Sequence, residues 1–346
     1  MYGTIYEFES LPRIGRKGSG VVSPVTRYVP RGRAVPLVGI IRNPRSHRNK
    51  GHAPELADCS NILTETPRSR EALRENLQDF AQRGIDYLVI DGGDGTVRDV
   101  LTCGADIFGE TWPELIVLPK GKTNALAVDL GLPNHWSLAE ALIAARSGDI
   151  VQRRPMRITP ADQSGCALGF FLGAGAYTLG TEMGQEAHRR GAYNSFAVGL
   201  IVAWCVLQAL LGRAGNRWRA GTRMRVRDRA SGRELPRPGP GAPGERFLAA
   251  ISTFDKLPLG LRLFGRNPPS GMKITLVDAP VRWLLLSAPL FLLGWLPRFM
   301  QRAGLNTRSV GPLEFELDGG FVLDGEVFPA GHYMLEEGPQ ITFVVP

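Results

Sequence analysis

The chain has 346 residues, 43% of them hydrophobic, which is enough apolar surface for more than one core. Its net charge of +8 is concentrated in two stretches rich in arginine, glycine and proline: residues 1–50 hold ten Lys and Arg against two Glu, and residues 213–246 hold ten Arg against three acids. Neither stretch has interleaved aromatics or a DNA-binding motif, so nucleic acid is not expected; the charge suits either an anionic membrane surface, if the substrate lies in a membrane, or a solvated loop with no partner.

Four cysteines, Cys59, Cys103, Cys166 and Cys205, show no Cys-x-x-Cys spacing or histidine partners, and read as reduced residues of a cytosolic protein without a zinc site. In chain order, residues 1–36 form an irregular basic leader with neither the basic nor the apolar region of a signal peptide. Leu37-Val38-Gly39-Ile40-Ile41 then reads as a strand that ends in the turn Arg42-Asn43-Pro44-Arg45-Ser46. Glu71 to Phe80 places Leu73, Leu77 and Phe80 on one helix face, and Thr66-Pro67 ahead of it predicts an N-cap followed by a first-turn proline. Tyr87-Leu88-Val89-Ile90 is a strand that runs into Asp91-Gly92-Gly93-Asp94-Gly95-Thr96 and on into a helical pattern. Glycines there let backbone N–H groups approach an anion, and a carboxylate among them, Asp94, points to Mg²⁺-nucleotide chemistry.

Leu115 to Leu118 is a further strand, followed by the turn Pro119-Lys120-Gly121-Lys122-Thr123-Asn124 and another helix. Gly121-Lys122-Thr123 is not a P-loop, because Ile116 stands where that motif needs its first glycine. Ser137-Leu138-Ala139-Glu140 is a capping box opening a helix to about Arg146. This alternation predicts an α/β fold, a parallel sheet with helices on its faces and a ligand crevice at the carboxyl ends of its strands. After Asp149 the composition changes to short β-like runs such as Lys273 to Val277, with a long helix candidate at Phe196 to Leu211, and a β-rich second domain is expected. Trp283 to Leu296 is the most hydrophobic stretch; fourteen residues interrupted by proline fall short of the ~20 that span a bilayer, and a buried helix lining a lipid pocket is predicted, with membrane-surface insertion second.

Four elements in this order, Asn43-Pro44-x-Ser46, Gly92-Gly93-Asp94-Gly95-Thr96, Pro119-x-Gly121-x-x-Asn124 and Asp324-Gly325-Glu326, resemble the diacylglycerol kinase catalytic-domain family, which includes sphingosine and ceramide kinases. The resemblance runs from Leu37 to Pro346. It implies an ATP-binding α/β domain over 37–155, a β-rich lipid-binding domain over 156–320, and a C-terminal segment over 321–346 that returns to the cleft between them. It also implies ATP and Mg²⁺ as cofactors, nucleotide contacts from Asn43, Pro44, Ser46, Thr66, Gly92, Gly93, Asp94, Gly95, Thr96, Gly121 and Asn124, and a general base in the Asp324-Gly325-Glu326 run. Sequence does not choose between Asp324 and Glu326, and leaves open the sphingosine-kinase arrangement in which Asp94 is the base.

The chain departs from the family in two places. Lys122 and Ala125 replace residues of the usual Gly-Thr-Gly-Asn-Asp run, so Lys122 is either a cation for the nucleotide phosphates or a solvated loop residue, and the Asn124-Ala125-Leu126-Ala127 ending is closer to sphingosine kinases. Pro268-Pro269-Ser270-Gly271 stands for the family's Pro-Asp-Asp-Gly, without its metal-holding carboxylate, so no metal ligand is assigned. The reading is a lipid kinase, peripheral to the cytoplasmic face of a membrane, acting on diacylglycerol or on ceramide or another sphingoid. The alternatives are a NAD-kinase-like enzyme and a lipid-binding protein without turnover.

Overall fold

The computed structural model describes residues 33–346 except 57, 148, 164, 182–220, 269, 280 and 281. Most of the leader, Cys205 and the helix candidate at Phe196 to Leu211 lie outside the described residues.

A six-stranded sheet forms the first layer, in the order β2 (Ile62–Glu65), β1 (Val38–Arg42), β3 (Tyr87–Gly92), β4 (Glu114–Pro119), β18 (Ile341–Val344), β5 (Ile150–Arg153). All pairs are parallel except β18 with β5. Every residue of β1 is buried, as a parallel strand covered on both faces requires, and this is why it reads as an unbroken apolar run. Helices α1 (Arg70–Arg83), α2 (Asp94–Phe108), α3 (Ala125–Leu130) and α4 (Leu138–Ser147) connect these strands. The strand order reverses between β1 and β3. In an open α/β sheet such a reversal leaves a crevice at the carboxyl ends of the strands, and the loops after β1 and β3 flank it.

Two antiparallel six-stranded sheets make the rest. One has the order β10 (Glu245–Arg246), β9 (Thr222–Asp228), β14 (Leu313–Leu317), β17 (Gly331–Glu337), β6 (Met156–Pro160), β7 (Ala167–Gly169); the other β13 (Leu305–Ser309), β12 (Lys273–Val277), β11 (Leu248–Ser252), β8 (Phe171–Gly175), β15 (Phe321–Leu323), β16 (Glu326–Phe328). Their inner faces share one apolar core containing Ile158, Met224, Val226, Leu172, Ile274, Phe315 and Phe321. The core of the first sheet continues through Leu168 and Ala250 of these strands and Phe170 and Phe254 at their ends. The two halves are therefore joined by apolar packing as well as by the chain.

The arginine-rich stretch shows why alternation matters. Met224 and Val226 point inward from β9, which leaves Arg223, Arg225 and Arg227 on the outer face. There they meet Asp318, Glu316 and Glu314 at 4.0, 3.8 and 4.0 Å. Arg246 is buried and donates to Asp278 at 2.7 Å. Much of the local positive charge is thus balanced within the sheet.

Two sequence expectations are corrected here. The N-cap of α1 is Ser69, whose hydroxyl accepts the Ala72 N–H at 3.1 Å, while Thr66 is exposed just past the end of β2. Ser69 wins because it directly precedes the first helical turn and stands three residues before the amide it caps. Trp283 to Leu296 is not a buried helix. Ser287 and Pro289 split it into α5 (Arg282–Leu286) and α6 (Ala288–Leu292), followed by α7 (Arg298–Arg302), and several of its large apolar side chains face outward. The capping box of α4 is present, with the Ser137 N–H donating to Glu140 at 2.9 Å and the Glu140 N–H to the Ser137 hydroxyl at 3.2 Å.

Ser69→Ala is expected to lower stability by about 1 kcal/mol in urea unfolding, the usual cost of a lost N-cap. Thr66→Ala is expected to leave it unchanged.

Candidate active site

Three strand-terminal loops converge at the carboxyl ends of β1, β3 and β4. The Asn43 amide group donates to the Thr96 hydroxyl at 3.0 Å and its oxygen accepts the Arg45 N–H at 3.0 Å, which fixes the first loop against the start of α2. Asn49 donates to the Asn43 carbonyl and to the Asp91 carboxylate, both at 3.0 Å, and Arg42 donates to the same carboxylate at 2.9 Å. Lys120 N–H reaches the Gly92 carbonyl at 3.1 Å, and Arg48 N–H the Lys120 carbonyl at 3.1 Å. All three loops are therefore tied to one another by short hydrogen bonds.

Their closest approach is between glycines. A Cβ on Gly93 would lie 3.0 Å from the Gly121 Cα, and one on Gly121 would lie 2.8 Å from both the Gly93 Cα and the Asn124 side-chain oxygen. A Cβ on Gly92 would come within 2.5 Å of Thr96. Gly93 caps α2 with no side-chain hydrogen bond, so no capping side chain stands between an anion and the N-terminus of α2. The buried Ser46 hydroxyl has no hydrogen-bond partner among the described residues. A backbone cradle with a helix N-terminus and an unpaired buried hydroxyl fits the phosphates of a nucleotide.

The remaining nucleotide candidates divide. Asn124 is buried in a left-handed conformation, accepting the Gly121 N–H at 2.7 Å, so it shapes the second turn. Pro44, Lys122 and Thr66 are exposed, and Thr66 stands apart at the end of the edge strand β2.

Asp94 opens α2 and turns its carboxylate to the amides that begin α3, with Leu126 N–H at 3.4 Å. Burial raises its pKa, and the amides of Leu126, Ala125 and Asn124 oppose that rise. Facing it across the cleft is the hairpin of β15 and β16. Leu323 pairs with Glu326, and Asp324 and Gly325 between them both have positive φ, 45° and 85°. This is the two-residue turn that Asp-Gly favours, so Asp324 and Glu326 do not share one face of an extended strand. The carboxylates point to different partners. Asp324 accepts the amides of Phe170, at 3.0 Å, and Phe171, at 2.9 Å. Glu326 reaches Arg98 at 2.5 Å. Burial pushes the Asp324 pKa up to about 7, opposed by the Phe170 and Phe171 amides and by Arg98, and aided by the negative charge of Asp94.

Arg98 was not singled out by the sequence reading. It lies one helical turn after Asp94, is almost completely buried, and contacts Asp99 at 2.9 Å, Glu326 at 2.5 Å and the Leu323 carbonyl at 3.4 Å. Burial works against its charge, but Asp99 and Glu326 outweigh it and raise its pKa. Asp99 is pushed up to about 7 by burial, with Arg98 opposing the rise. The available signal was the charged pair Arg98-Asp99 inside an otherwise apolar helix. Among the described residues no three acidic, histidine or cysteine side chains cluster to hold a metal ion.

Residues 38–158, which hold the three loops, match the model of the diacylglycerol kinase catalytic domain. This part of the chain is similar to that family's catalytic domain. The fold of the rest agrees: two solved structures from Bacillus anthracis str. Sterne superpose with a TM-score of 0.60 at 16% identity, over 89% of this chain and 97% and 96% of theirs. One is provisionally named a diacylglycerol kinase and the other is called one outright. At this identity the likeness is one of fold, and it extends beyond the diacylglycerol kinase catalytic domain to both antiparallel sheets. No curated protein matches the sequence.

Gly121→Ala is expected to weaken ATP binding at least tenfold by calorimetry, because its methyl would push Gly93 and Asn124 out of the cradle. Secondary structure by circular dichroism is expected to stay unchanged.

Proposed function

We propose that the protein is an ATP-dependent lipid kinase that transfers the γ-phosphoryl group to a lipid hydroxyl at the cytoplasmic face of a membrane. The observation that carries this reading is the Asp324 carboxylate, raised to about 7 by burial and held by two amides beside the turn that bears Asp94. A base for an alcohol works best with a pKa near the working pH, and a base opposite a phosphate cradle suits transfer to an alcohol.

In this mechanism the Gly92, Gly93, Gly95 and Gly121 backbone, with the Ser46 hydroxyl, holds the phosphates, and Asn43 and Thr96 keep the first loop and α2 in register. Asp94 is the carboxylate that would hold a Mg²⁺ brought in by the nucleotide phosphates, where the ion would neutralise the charge that develops during transfer. Asp324 takes the proton of the acceptor hydroxyl as the oxygen attacks the γ-phosphorus. Arg98, fixed by Asp99, anchors the hairpin through Glu326 and the Leu323 carbonyl, so Glu326 is a positioning residue and Asp324 the base. Diacylglycerol is the default acceptor. Ceramide or another sphingoid is the second reading, favoured by Asn124-Ala125-Leu126-Ala127, which begins α3 beside Asp94.

Radiolabelled ATP with a panel of extracted lipids, and with NAD in a parallel reaction, tests this directly. A labelled glycerolipid or sphingolipid supports it, a labelled NAD with no labelled lipid contradicts it, and binding without label leaves a lipid-binding protein. A base acts only when ionised, so turnover should rise with pH through about 7 and level off above it. Asp324→Asn is expected to remove that limb together with most activity while ATP affinity is kept. Asp94→Asn is expected to lower turnover by roughly 10²-fold or more in a folded protein, because a charge that organises the nucleotide is gone.

A further inference from the structure

The apolar helices beyond β12 are attached to the second half of the protein by a small core of their own. Leu284 of α5 and Met300 of α7 are buried with Val277 and Leu305. That core fixes which sides of the helices face out. Trp283, Leu286, Leu290, Leu293, Trp295 and Phe299 are all exposed, Leu286 by 68% and Leu293 by 62%. Three of them form a prebuilt aromatic cluster: the Phe299 ring lies 5.4 Å from Trp283 and 6.1 Å from Trp295.

A second apolar tip stands beside them. The turn Pro258–Gly260 presents Leu259, 94% exposed and held at a positive φ of 58°, and the chain returns from it to α6 through the Arg262 N–H, which donates to the Leu292 carbonyl at 2.9 Å. An apolar side chain lifted into water at a strained backbone position needs a reason that folding does not supply.

Charge says what covers this surface. Lys256, Arg262, Arg266, Arg282, Arg298 and Arg302 are exposed around it, and among the described residues none of them forms an ion pair. From residue 256 to 313 the sequence contains a single acid, Asp278, and that one is buried against Arg246. Exposed tryptophan, leucine and phenylalanine ringed by unopposed cations match the interfacial zone of an anionic bilayer: rings and aliphatic chains enter at headgroup depth, and arginines meet phosphates. A protein partner would have to be both apolar and strongly acidic. No helix among the described residues is long and apolar enough to cross a membrane.

Its position also suits the active site. Asp129 of α3, the helix whose first amides face Asp94, accepts the N–H groups of Asp255 and Lys256, both at 2.7 Å. The chain from there leads straight into the Leu259 turn. A short run of hydrogen-bonded structure thus links the apolar tip to the edge of the cleft beside Asp94.

We propose that α5, α6, α7 and the Leu259 turn form the membrane-docking face of the protein, seated on anionic lipid; its role as the route of lipid to Asp324 rests on the lipid-kinase reading, whereas its binding to vesicles does not. The test uses the full chain and a Leu286→Glu/Leu293→Glu variant, both positions being exposed and outside the active site. Wild type should sediment with phosphatidylglycerol-containing vesicles, less with pure phosphatidylcholine, and its tryptophan emission should be quenched by brominated lipid. The variant should bind the anionic vesicles at least tenfold more weakly, while phosphorylation of a short-chain, water-soluble diacylglycerol stays at the wild-type rate. Equal sedimentation of the two proteins would overturn the proposal. So would a wild-type emission that brominated lipid leaves untouched, as expected if the apolar segment 196–211 covers the patch, or a variant that loses only self-association, as expected if a second copy does. Loss of vesicle binding by the variant, with no phosphorylation of the soluble lipid by either protein, would uphold the docking face and overturn the kinase reading.

Discussion

Arg98 is the constraint on which the active site rests. A guanidinium with 1% exposure has lost its water, and its charge is tolerable only because Asp99 and Glu326 stand against it. Removing a partner from such a buried charge typically costs about 3–5 kcal/mol, so the hairpin that carries Glu326 has one favourable place to sit. That place is over the first turn of α2. Because Asp94 begins the same helix, one buried ion pair sets the distance between the nucleotide turn and the Asp324 hairpin.

The division of the fold follows from this. The parallel sheet supplies loops whose glycines approach one another more closely than any side chain would allow, and the antiparallel sheets supply a rigid hairpin from the far end of the chain. β18 then returns to the first sheet beside β4, and the shared core through Leu168, Phe170 and Phe254 keeps the two halves together. The outer surface divides in the same way. The outward arginines of β9 face Asp318, Glu316 and Glu314, whereas around α5 to α7 the exposed arginines form no ion pair among the described residues.

What the sequence made legible was what depends on local rules. β1, β3 and β4 are unbroken apolar runs, the turns after them are marked by Asn43, Gly92-Gly93 and Gly121, and the Ser137-Glu140 box has the spacing its geometry demands. The misreadings arise where tertiary contacts decide. Thr66-Pro67 has the composition of a helix start, but Ser69 stands nearer to the first amides. Trp283 to Leu296 is apolar enough to be core, and only the placement of Leu284 and Met300 shows which side is already buried. Sequence left Asp324 and Glu326 equivalent, and only the fold separates them, with Asp324 on the Phe170 and Phe171 amides and Glu326 on Arg98. Arg98 was overlooked because its partner Glu326 is brought to it only by the complete fold.

The central claim is that the glycine cradle and the Asp324 hairpin act on one phosphoryl group. The most direct measurement is a crystal structure with a non-hydrolysable ATP analogue and Mg²⁺. The account predicts phosphates against the amides of Gly93 to Thr96 and beside Gly121, with the terminal phosphate on the side of the cleft facing Asp324. A nucleotide bound away from Gly93 and Gly121, or a terminal phosphate turned away from the Asp324 hairpin, would contradict it.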